Sequence, residues 1–431
     1  MTLVAALRTR AVGSVASLRI RNYRLYFLGQ TISVGGTFMQ TLAIAFLALD
    51  LTASGIQVGI AAAARLAPFV LLSPIGGLIA DRVDKRRLLA ATQTASALAA
   101  LAFAICDWTG VMTYPLLIAL SLALGCLTVV DNPARQAFIA DLVPRSALAN
   151  AVILNSVSLN LARVTGSLVG GGLVALVGIP WCFLLNALSF IAVLASLAMM
   201  RGDRIARPPR APRERGQIRA GFRYVAATPA LAIPLAMITV TGMLAYEFPT
   251  SLPLIATGAF AGDASTYGAM AATMAAGSIV GGIVAAGRPG LVRPAALAVS
   301  AIGWGAVILA AAIAPTLWLE LLALAFVGYG SITFNAAAKT TLQLTARPEL
   351  RGRVMALWSL AWSGSTVLGA PLVGWVAETW GSRWGLVIGG APTLVLGIAM
   401  LPMLRRHLAT DAADDGAPAG AAPTTTSAPA R

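Results

Sequence analysis

Residues 77–87 read Gly77-Leu-Ile-Ala-Asp81-Arg82-Val-Asp-Lys85-Arg86-Arg87 and place an acid and a basic cluster between two apolar stretches. Long apolar stretches make up most of the rest of the chain. A helix needs about 20 apolar residues to cross the hydrocarbon core of a bilayer. The stretch is therefore predicted to be a short polar loop between two membrane-spanning helices.

The composition excludes a soluble domain. Hydrophobic residues make up 58% of the chain and charged residues only 11%, whereas soluble chains carry about 25% charge. Because a backbone in lipid must satisfy its own hydrogen bonds, helices are the expected structure. The predicted fold class is an all-α membrane protein with twelve transmembrane helices, at about residues 23–49, 55–80, 88–108, 114–136, 149–177, 180–200, 230–256, 265–286, 294–314, 317–338, 354–378 and 384–404.

The net charge of +15 is distributed over alternate connections between the predicted spans. Basic residues occupy the N-terminal arm, the loop after the second span, the loop after the fourth span and the central linker, whereas Arg383 lies on the opposite side. The positive-inside rule then predicts a multi-pass protein of a bacterial plasma membrane with both termini cytoplasmic. A basic surface facing anionic lipid accounts for the charge, so lipid is an expected partner and nucleic acid is not.

The chain is predicted to consist of two pseudo-symmetric six-helix halves. Five identities recur at a constant offset between the halves, namely Asn132 with Asn335, Gly166 with Gly369, Gly171 with Gly374, Gly178 with Gly381, and Trp181 with Trp384. The predicted regions are an N-terminal arm (1–22), a first bundle (23–200), a basic linker (201–229), a second bundle (230–404) and a disordered tail (405–431). A short amphipathic helix is expected within the linker.

The 77–87 loop resembles the signature loop between the second and third helices of major facilitator superfamily transporters, with Asp84 at a position where that family usually has glycine. The resemblance implies that Gly77, Asp81 and Arg82 form a latch that holds one access state. The alternative for the basic residues that follow is that they only set the membrane topology.

Three further segments resemble one branch of that superfamily. Segments 131–136, 141–144 and 160–166 are similar to the branch that contains enterobactin-type siderophore exporters and macrolide efflux proteins. The segment Gly166-Ser-Leu-Val-Gly170-Gly171 resembles the Gly-Pro-x-x-Gly-Gly signature of drug:proton antiporters, with Ser167 in place of the proline. Packing between small residues is the alternative explanation of this last segment.

Ionisable residues inside spans are candidate functional residues, because each costs about 2.5–3.5 kcal/mol on insertion scales. Arg65, Arg163 and Glu247 lie in the second, fifth and seventh predicted spans and are assigned to the substrate and proton pathway. Asp131 and Arg135 lie near the cytoplasmic end of the fourth span and are assigned to the gate.

Polar residues also form stripes along two predicted helices. The fifth span carries Ser156, Asn160, Arg163 and Ser167 on one face, and the first span carries a similar stripe that includes Gln30 and Thr37. Such stripes favour a water-accessible cavity, which adds Asn160, Gln30 and Thr37 to the pathway. For Gln30 and Thr37, hydrogen bonding between helices remains an equal alternative. The cavity is expected between the first, second, fourth and fifth helices and their second-half equivalents, with apolar contacts from Phe38, Tyr246, Phe248 and Trp358.

Glu247 is the candidate proton carrier. Removal from water disfavours the charged form of a carboxyl group, so a membrane-embedded glutamate can bind and release a proton during a transport cycle. The alternative is a permanent ion pair with Arg65 or Arg163, which would make Glu247 structural.

These observations predict a secondary transporter that exports an amphipathic organic molecule, either a siderophore or a drug-like compound, by alternating access with proton antiport. The alternative is an importer or facilitator of a nutrient or metal chelate. An enzyme is not expected, because the spans contain no metal-ligand cluster, no nucleophile paired with a base and no phosphate-binding loop. No cofactor or metal is expected, and such transporters are expected to be monomers.

Overall fold

The computed structural model describes residues 16–201, 217–286, 294–347 and 350–415. A short 3-10 turn, Ala16–Arg19, precedes the first long helix. The α-helices are α1 Arg21–Thr52, α2 Gly55–Arg82, α3 Lys85–Trp108, α4 Tyr114–Leu142, α5 Arg145–Val177, α6 Ile179–Met199, α7 Gln217–Ala226, α8 Pro229–Leu244, α9 Phe248–Gly258, α10 Ala264–Ala286, α11 Pro294–Ala312, α12 Leu317–Thr345, α13 Arg351–Trp380 and α14 Trp384–Asp415.

The predicted fold class is confirmed. In the described residues, 11 segments are long and apolar enough to cross a membrane, and the shorter apolar helix Ala296–Ala312 within α11 completes the predicted set. Helices α1–α6 are the first six spans, α8 and α9 together form the seventh, and α10–α14 are the eighth to twelfth. Helix α7 lies in the linker, where an amphipathic helix was expected. The last helix continues past the predicted end at residue 404 to Asp415.

Local sequence explains several of the helix ends. The Ser54 side chain accepts a hydrogen bond from the backbone N–H of Gln57 and so caps α2. Asp84 caps α3 in the same way, because its carboxylate accepts from the Arg87 N–H at 3.0 Å. Asp84 therefore has a structural role at the position where the resembled family has glycine. At the equivalent ends of α5 and α13, Gly178 and Gly381 have φ values of +100° and +109°, which favour glycine.

The two halves have matching helix packing. In the first half α1 packs against α5 and α6, α2 against α4, and α3 against α6; in the second half the seventh span packs against α13 and α14, α10 against α12, and α11 against α14. The repeated glycines support the same correspondence. A Cβ on Gly166 would collide with the Gly35 carbonyl of α1, and a Cβ on Gly369 would collide with the Met243 carbonyl of α8.

The halves meet along two seams, α2 with α13 and α5 with α10. We call the end of the bundle where α1 ends and α2 begins the far end, and the end that carries the linker the linker end. At the far end, Gly171 of α5 lies against Ala264 and Gly268 of α10, and its repeat partner Gly374 of α13 lies against Gly55 of α2. Close backbone contact at both seams holds the halves together there.

Candidate functional site

A cavity of about 440 Å³ lies between the two halves. Its volume falls within the range of about 300–1,000 Å³ that is usual for small-molecule sites. Helices α1 and α5 of the first half and the seventh span, α10, α12 and α13 of the second half line it, through Phe38, Thr41, Ser156, Leu159, Asn160, Arg163, Ser167, Tyr246, Phe248, Pro249, Leu252, Tyr267, Ala271, Met274, Ser278, Ser331, Ile332, Asn335, Trp362 and Thr366.

The polar stripe of α5 faces this cavity. Ser156, Asn160, Arg163 and Ser167 all line it, as their helical spacing predicts for one face. The Arg163 guanidinium carbon lies 5.1 Å from the ring centroid of Phe38 on α1, which is a cation–π contact. Among the described side chains that line the cavity, Arg163 is the one charged residue. The cavity therefore presents a positive charge to its contents.

Aromatic side chains form the wall on the second half. The Tyr246 ring centroid lies 4.1 Å from that of Trp362 and 4.5 Å from that of Trp304. The Tyr246 hydroxyl donates a hydrogen bond to the Ser331 carbonyl at 2.7 Å, which fixes the ring. Trp358, an expected lining residue, does not line the cavity and instead stacks on Trp362 at 5.8 Å.

The seventh span is broken where it passes the cavity. Helix α8 ends at Leu244 and α9 begins at Phe248, with Glu247 as its N-terminal cap residue. Pro249 accounts for the break, because proline has no N–H to continue the hydrogen bonds of α8 and is tolerated in the first turn of a new helix. The break places Tyr246 on the cavity wall and Glu247 directly behind it. Discontinuous helices with polar groups at their ends are typical of transporter binding sites.

The Glu247 side chain is buried, with 2% of its surface exposed. The hydroxyl of Thr366, a cavity-lining residue, hydrogen-bonds to the carboxylate, while Oε1 has no partner. No salt bridge joins Glu247 to Arg65 or Arg163, all three of which the structure describes. In this conformation Glu247 is therefore not held in an ion pair with either arginine.

Three other predicted pathway residues do not line the cavity. Gln30 is buried and its Nε2 has no hydrogen-bond partner, and the Thr37 hydroxyl donates to the Ser33 carbonyl of its own helix. Arg65 donates from Nη1 to the Thr41 hydroxyl at 2.6 Å and so reaches the cavity wall only through Thr41. None of the side chains that the structure describes in α2 or α4 is on the lining, in contrast to the expectation for these helices.

The predicted gating residues lie toward the linker end. Asp131 and Arg135 form an ion pair within α4, and Asp131 Oδ1 also accepts hydrogen bonds from Thr92 and Gln93 of α3, both at 2.8 Å. All of these partners belong to the first half, so the pair fastens α3 to α4 in this conformation and does not bridge the halves.

The signature loop is only partly described. Gly77 is half-buried in α2, and Arg82 is the exposed last residue of that helix. The side chain of Asp81 lies outside what the structure describes, so its latch role stays a prediction.

Sequence reasoning expected α13, the equivalent of the fifth helix, at the cavity but named Trp358 on it and missed Trp362 and Thr366. Trp362 and Thr366 line the cavity, and with Trp358 they recur every four residues, a spacing that places them on one helix face. That stripe was the available signal, although its aromatic members resemble ordinary packing residues. Within the described residues, no group of three or more metal-ligating side chains comes together.

The comparisons with known proteins agree with this architecture. The chain is 29% identical to the staphyloferrin A transporter of Staphylococcus aureus, over 61% of this chain and 65% of that protein. It is 25% identical to the enterobactin exporter EntS of Citrobacter koseri, over 92% of this chain and 95% of that protein.

Solved structures share the fold at low sequence identity. A bacterial homologue of the human lysosomal transporter Spinster, in an inward-facing and unoccupied conformation, has a TM-score of 0.71 at 14% identity, over 90% of this chain and 98% of that one. The nucleoside transporter NupG has a TM-score of 0.69 at 14% identity, over 90% of this chain and 99% of that one. A family model described as transmembrane secretion effector matches residues 12–424. The chain therefore belongs to the transmembrane secretion effector family of major facilitator superfamily transporters.

Proposed function

We propose that this protein exports an amphipathic organic molecule, of the siderophore or drug-like class, by alternating access. The observation that carries the proposal is the cavity between two pseudo-symmetric halves, which combines the Arg163 charge with an aromatic wall. A molecule with both a polar and an apolar part suits such a lining. The names of the relatives, an enterobactin exporter and a staphyloferrin A transporter, support the siderophore class.

Sidedness supports the proposed direction. The positive-inside rule assigns the linker end to the cytoplasm, because the linker and the loops at that end carry most of the basic residues. The far end, where the seams hold the halves together, then faces outward. In this conformation the cavity is closed to the outside, which is the state in which an exporter takes up its cargo from the cell.

Proton coupling is assigned to Glu247. Its buried carboxylate shares Thr366 with the cavity wall and adjoins the break in the seventh span. A proton drives the cycle only if it binds the two access states with different affinity. Rotation of the halves would change the access of water to this break. The change in hydration gives the Glu247 carboxyl group a different proton affinity in the two access states. An incoming proton neutralises Glu247 when the cavity opens outward, and the proton leaves to the cytoplasm before the next cargo is bound.

Everted membrane vesicles test the proposal. We expect an imposed pH gradient, acidic inside, to drive uptake of at least one compound from a panel of enterobactin, staphyloferrin A and an amphipathic dye. Glu247→Gln should abolish gradient-driven uptake, because an amide of the same size can neither bind nor release the proton. Glu320→Gln is the matched control, since Glu320 is a buried carboxylate that does not line the cavity.

Two outcomes would contradict the proposal. Uptake that is unchanged by the pH gradient and by the Glu247→Gln substitution would contradict proton coupling. Accumulation by intact cells, without accumulation by everted vesicles, would favour the importer or facilitator.

A further inference from the structure

We propose that the linker-end mouth of the cavity contains a second binding subsite, formed by Lys339 and Trp358, that recognises an aromatic anion. The inference rests on the proposed transport function and narrows its substrate class. It assigns two roles to the subsite, capture of the anion at the mouth and transfer along an aromatic wall to Arg163.

An aromatic path connects the mouth to the cavity. Trp358 on α13 stacks on Trp362 with a centroid distance of 5.8 Å and an interplanar angle of 20°. Trp362 lines the cavity and contacts Tyr246 at 4.1 Å. Trp358 lies one turn closer to the linker end, because α13 begins at that end with Arg351. A flat apolar group can therefore move from one ring to the next without leaving an aromatic surface.

A positive charge marks the outer end of this path. The Lys339 ammonium lies 5.3 Å from the Trp358 ring centroid. Lys339 is on α12, near the linker end of that helix, and is exposed. It makes no salt bridge with any acidic residue in the described part of the chain. The cation is therefore held over an aromatic ring with its capacity for an anionic partner unused.

Trp358 supplies an unused donor at the same place. Its Nε1 is buried and has no hydrogen-bond partner. A buried donor without a partner is costly and uncommon in native proteins, so a ligand atom that accepts this hydrogen bond would be stabilised. A carboxylate or phenolate oxygen can pair with the exposed Lys339 ammonium, and a rotation of the Trp358 ring that exposes Nε1 would let the same oxygen accept its hydrogen bond, while the ring that bears the oxygen packs on the tryptophan pair.

The cavity interior has the same chemistry. Within the described part of the chain, the one lining charge is the Arg163 guanidinium, and no acidic side chain lies on the lining. Two cationic positions joined by aromatic rings suit a ligand that is both aromatic and negatively charged. A cationic ligand would meet like charge at both positions, which costs affinity. The inferred cargo is an amphipathic molecule with a carboxylate or phenolate on an aromatic ring.

Saturation-transfer NMR on the purified full-length protein in detergent tests the subsite. The probes are salicylate, cyclohexanecarboxylate, which lacks the aromatic ring, and benzyl alcohol, which lacks the charge. We expect salicylate to bind most tightly and to be weakened by salt. Lys339→Gln and Trp358→Leu should each weaken salicylate binding about fivefold, and Lys339→Arg should preserve it because arginine keeps the charge and the cation–π contact.

Matched controls come from α13, the helix that carries Trp358. Arg351→Gln removes an exposed cation at the linker end of α13, and Trp375→Leu removes an exposed tryptophan outside the cavity lining. Neither should change salicylate binding. Equal binding of the three probes, or equal effects of Lys339→Gln and Arg351→Gln, would overturn the subsite. Because this measurement does not involve a pH gradient, it can fail while gradient-driven export in vesicles succeeds, and the reverse.

Discussion

Arg65 is a half-buried cation that acts on the cavity through another residue. Its Nη1 donates to the Thr41 hydroxyl at 2.6 Å, and Thr41 is the residue that lines the cavity. The Thr41 hydroxyl in turn donates to the Thr37 carbonyl at 2.8 Å. This short chain of hydrogen bonds fixes α1 against α2 beside the binding cavity, so we infer a positioning role for Arg65.

Removal of the acceptor for Arg65 should destabilise the protein. Thr41→Val keeps the shape of the side chain but leaves the arginine without this partner, at a cost of about 1.5–3 kcal/mol for a hydrogen bond to a charged group. Thr41→Ser keeps the hydroxyl and should retain most of the stability. Thermal unfolding in detergent measures both variants, and equal midpoints for the two would remove the role assigned to this hydrogen bond.

The polar stripes show what sequence can predict at the scale of single residues. Helical spacing placed Ser156, Asn160 and Arg163 on one face, and that face lines the cavity. The same reasoning placed Gln30, Thr37 and Thr41 on one face of α1, and of these three Thr41 lines the cavity whereas Gln30 and Thr37 do not. Periodicity fixes which residues share a face, but the neighbouring helices decide what that face contacts. On α1, the nearby Gln40 hydrogen-bonds to Asn186 of α6, a contact that the spacing alone does not reveal.

At the scale of helices, sequence predicted where most spans begin and end but missed the break in the seventh. The segment 230–256 reads as one apolar run, and three prolines lie within it, Pro234, Pro249 and Pro253. The structure breaks only before Pro249, and Pro234 and Pro253 lie inside helices. Proline limits the local backbone, whereas tertiary packing decides which of the three interrupts the helix.

Neighbouring glycines in α5 provide a matched test of the seam with α10. A Cβ on Gly171 would lie 2.6 Å from the Ala264 carbonyl oxygen and 2.9 Å from the Gly268 Cα, whereas a Cβ on Gly172 would have no atom within 4 Å. We expect Gly171→Ala to disfavour the conformation with the far end closed, at a cost of about 1–3 kcal/mol typical of overpacking. Gly172→Ala should be neutral or slightly stabilising, because alanine is the better helix former.

Distances across the far end measure this effect. Val111 in the first half and Trp318 in the second half are exposed and lie at the far end. Each would be replaced by cysteine to carry a spin label, and the native cysteines would be replaced by alanine. Double electron–electron resonance should show a larger population with a long distance between the two labels for Gly171→Ala than for Gly172→Ala. Identical distance distributions would mean that this seam does not control far-end opening.

At the scale of the whole molecule, the repeat found in the sequence predicted the two halves and their correspondence. Gly171 and Gly374 occupy equivalent positions of the repeat. Each lies at the far end of one of the two seams, Gly171 in the seam of α5 with α10 and Gly374 in the seam of α2 with α13. The repeat cannot predict which end of the molecule is closed, because both access states use the same helices. That choice depends on contacts between halves, such as the one made by Glu378, whose position in the repeat is occupied by Ala175 in the first half.

Glu378 connects the two halves directly at the far end. Its Oε2 accepts hydrogen bonds from the Ser54 hydroxyl at 2.7 Å and from the Ile56 backbone N–H at 3.0 Å. Glu378 belongs to α13, whereas Ser54 and Ile56 belong to the first turn of α2, where the positive end of the helix dipole attracts an anion. This contact exists only while the far end is closed, so it stabilises the closed state relative to the open one.

Loss of this contact should shift the conformational equilibrium toward far-end opening. Glu378→Ala removes both hydrogen bonds and the charge. Because an exposed charge at a helix N-terminus contributes about 0.3–1 kcal/mol, the population with the far end open should rise about two- to fivefold. Glu378→Gln should have a smaller effect because it keeps an acceptor. Asp263→Asn is the matched control, since Asp263 is at the same end but bonds only to Ser265 and Thr266 of its own helix, α10. The same pair of spin labels reports the populations, and a Glu378→Ala distribution that matches Asp263→Asn would show that the closed state does not depend on this bridge.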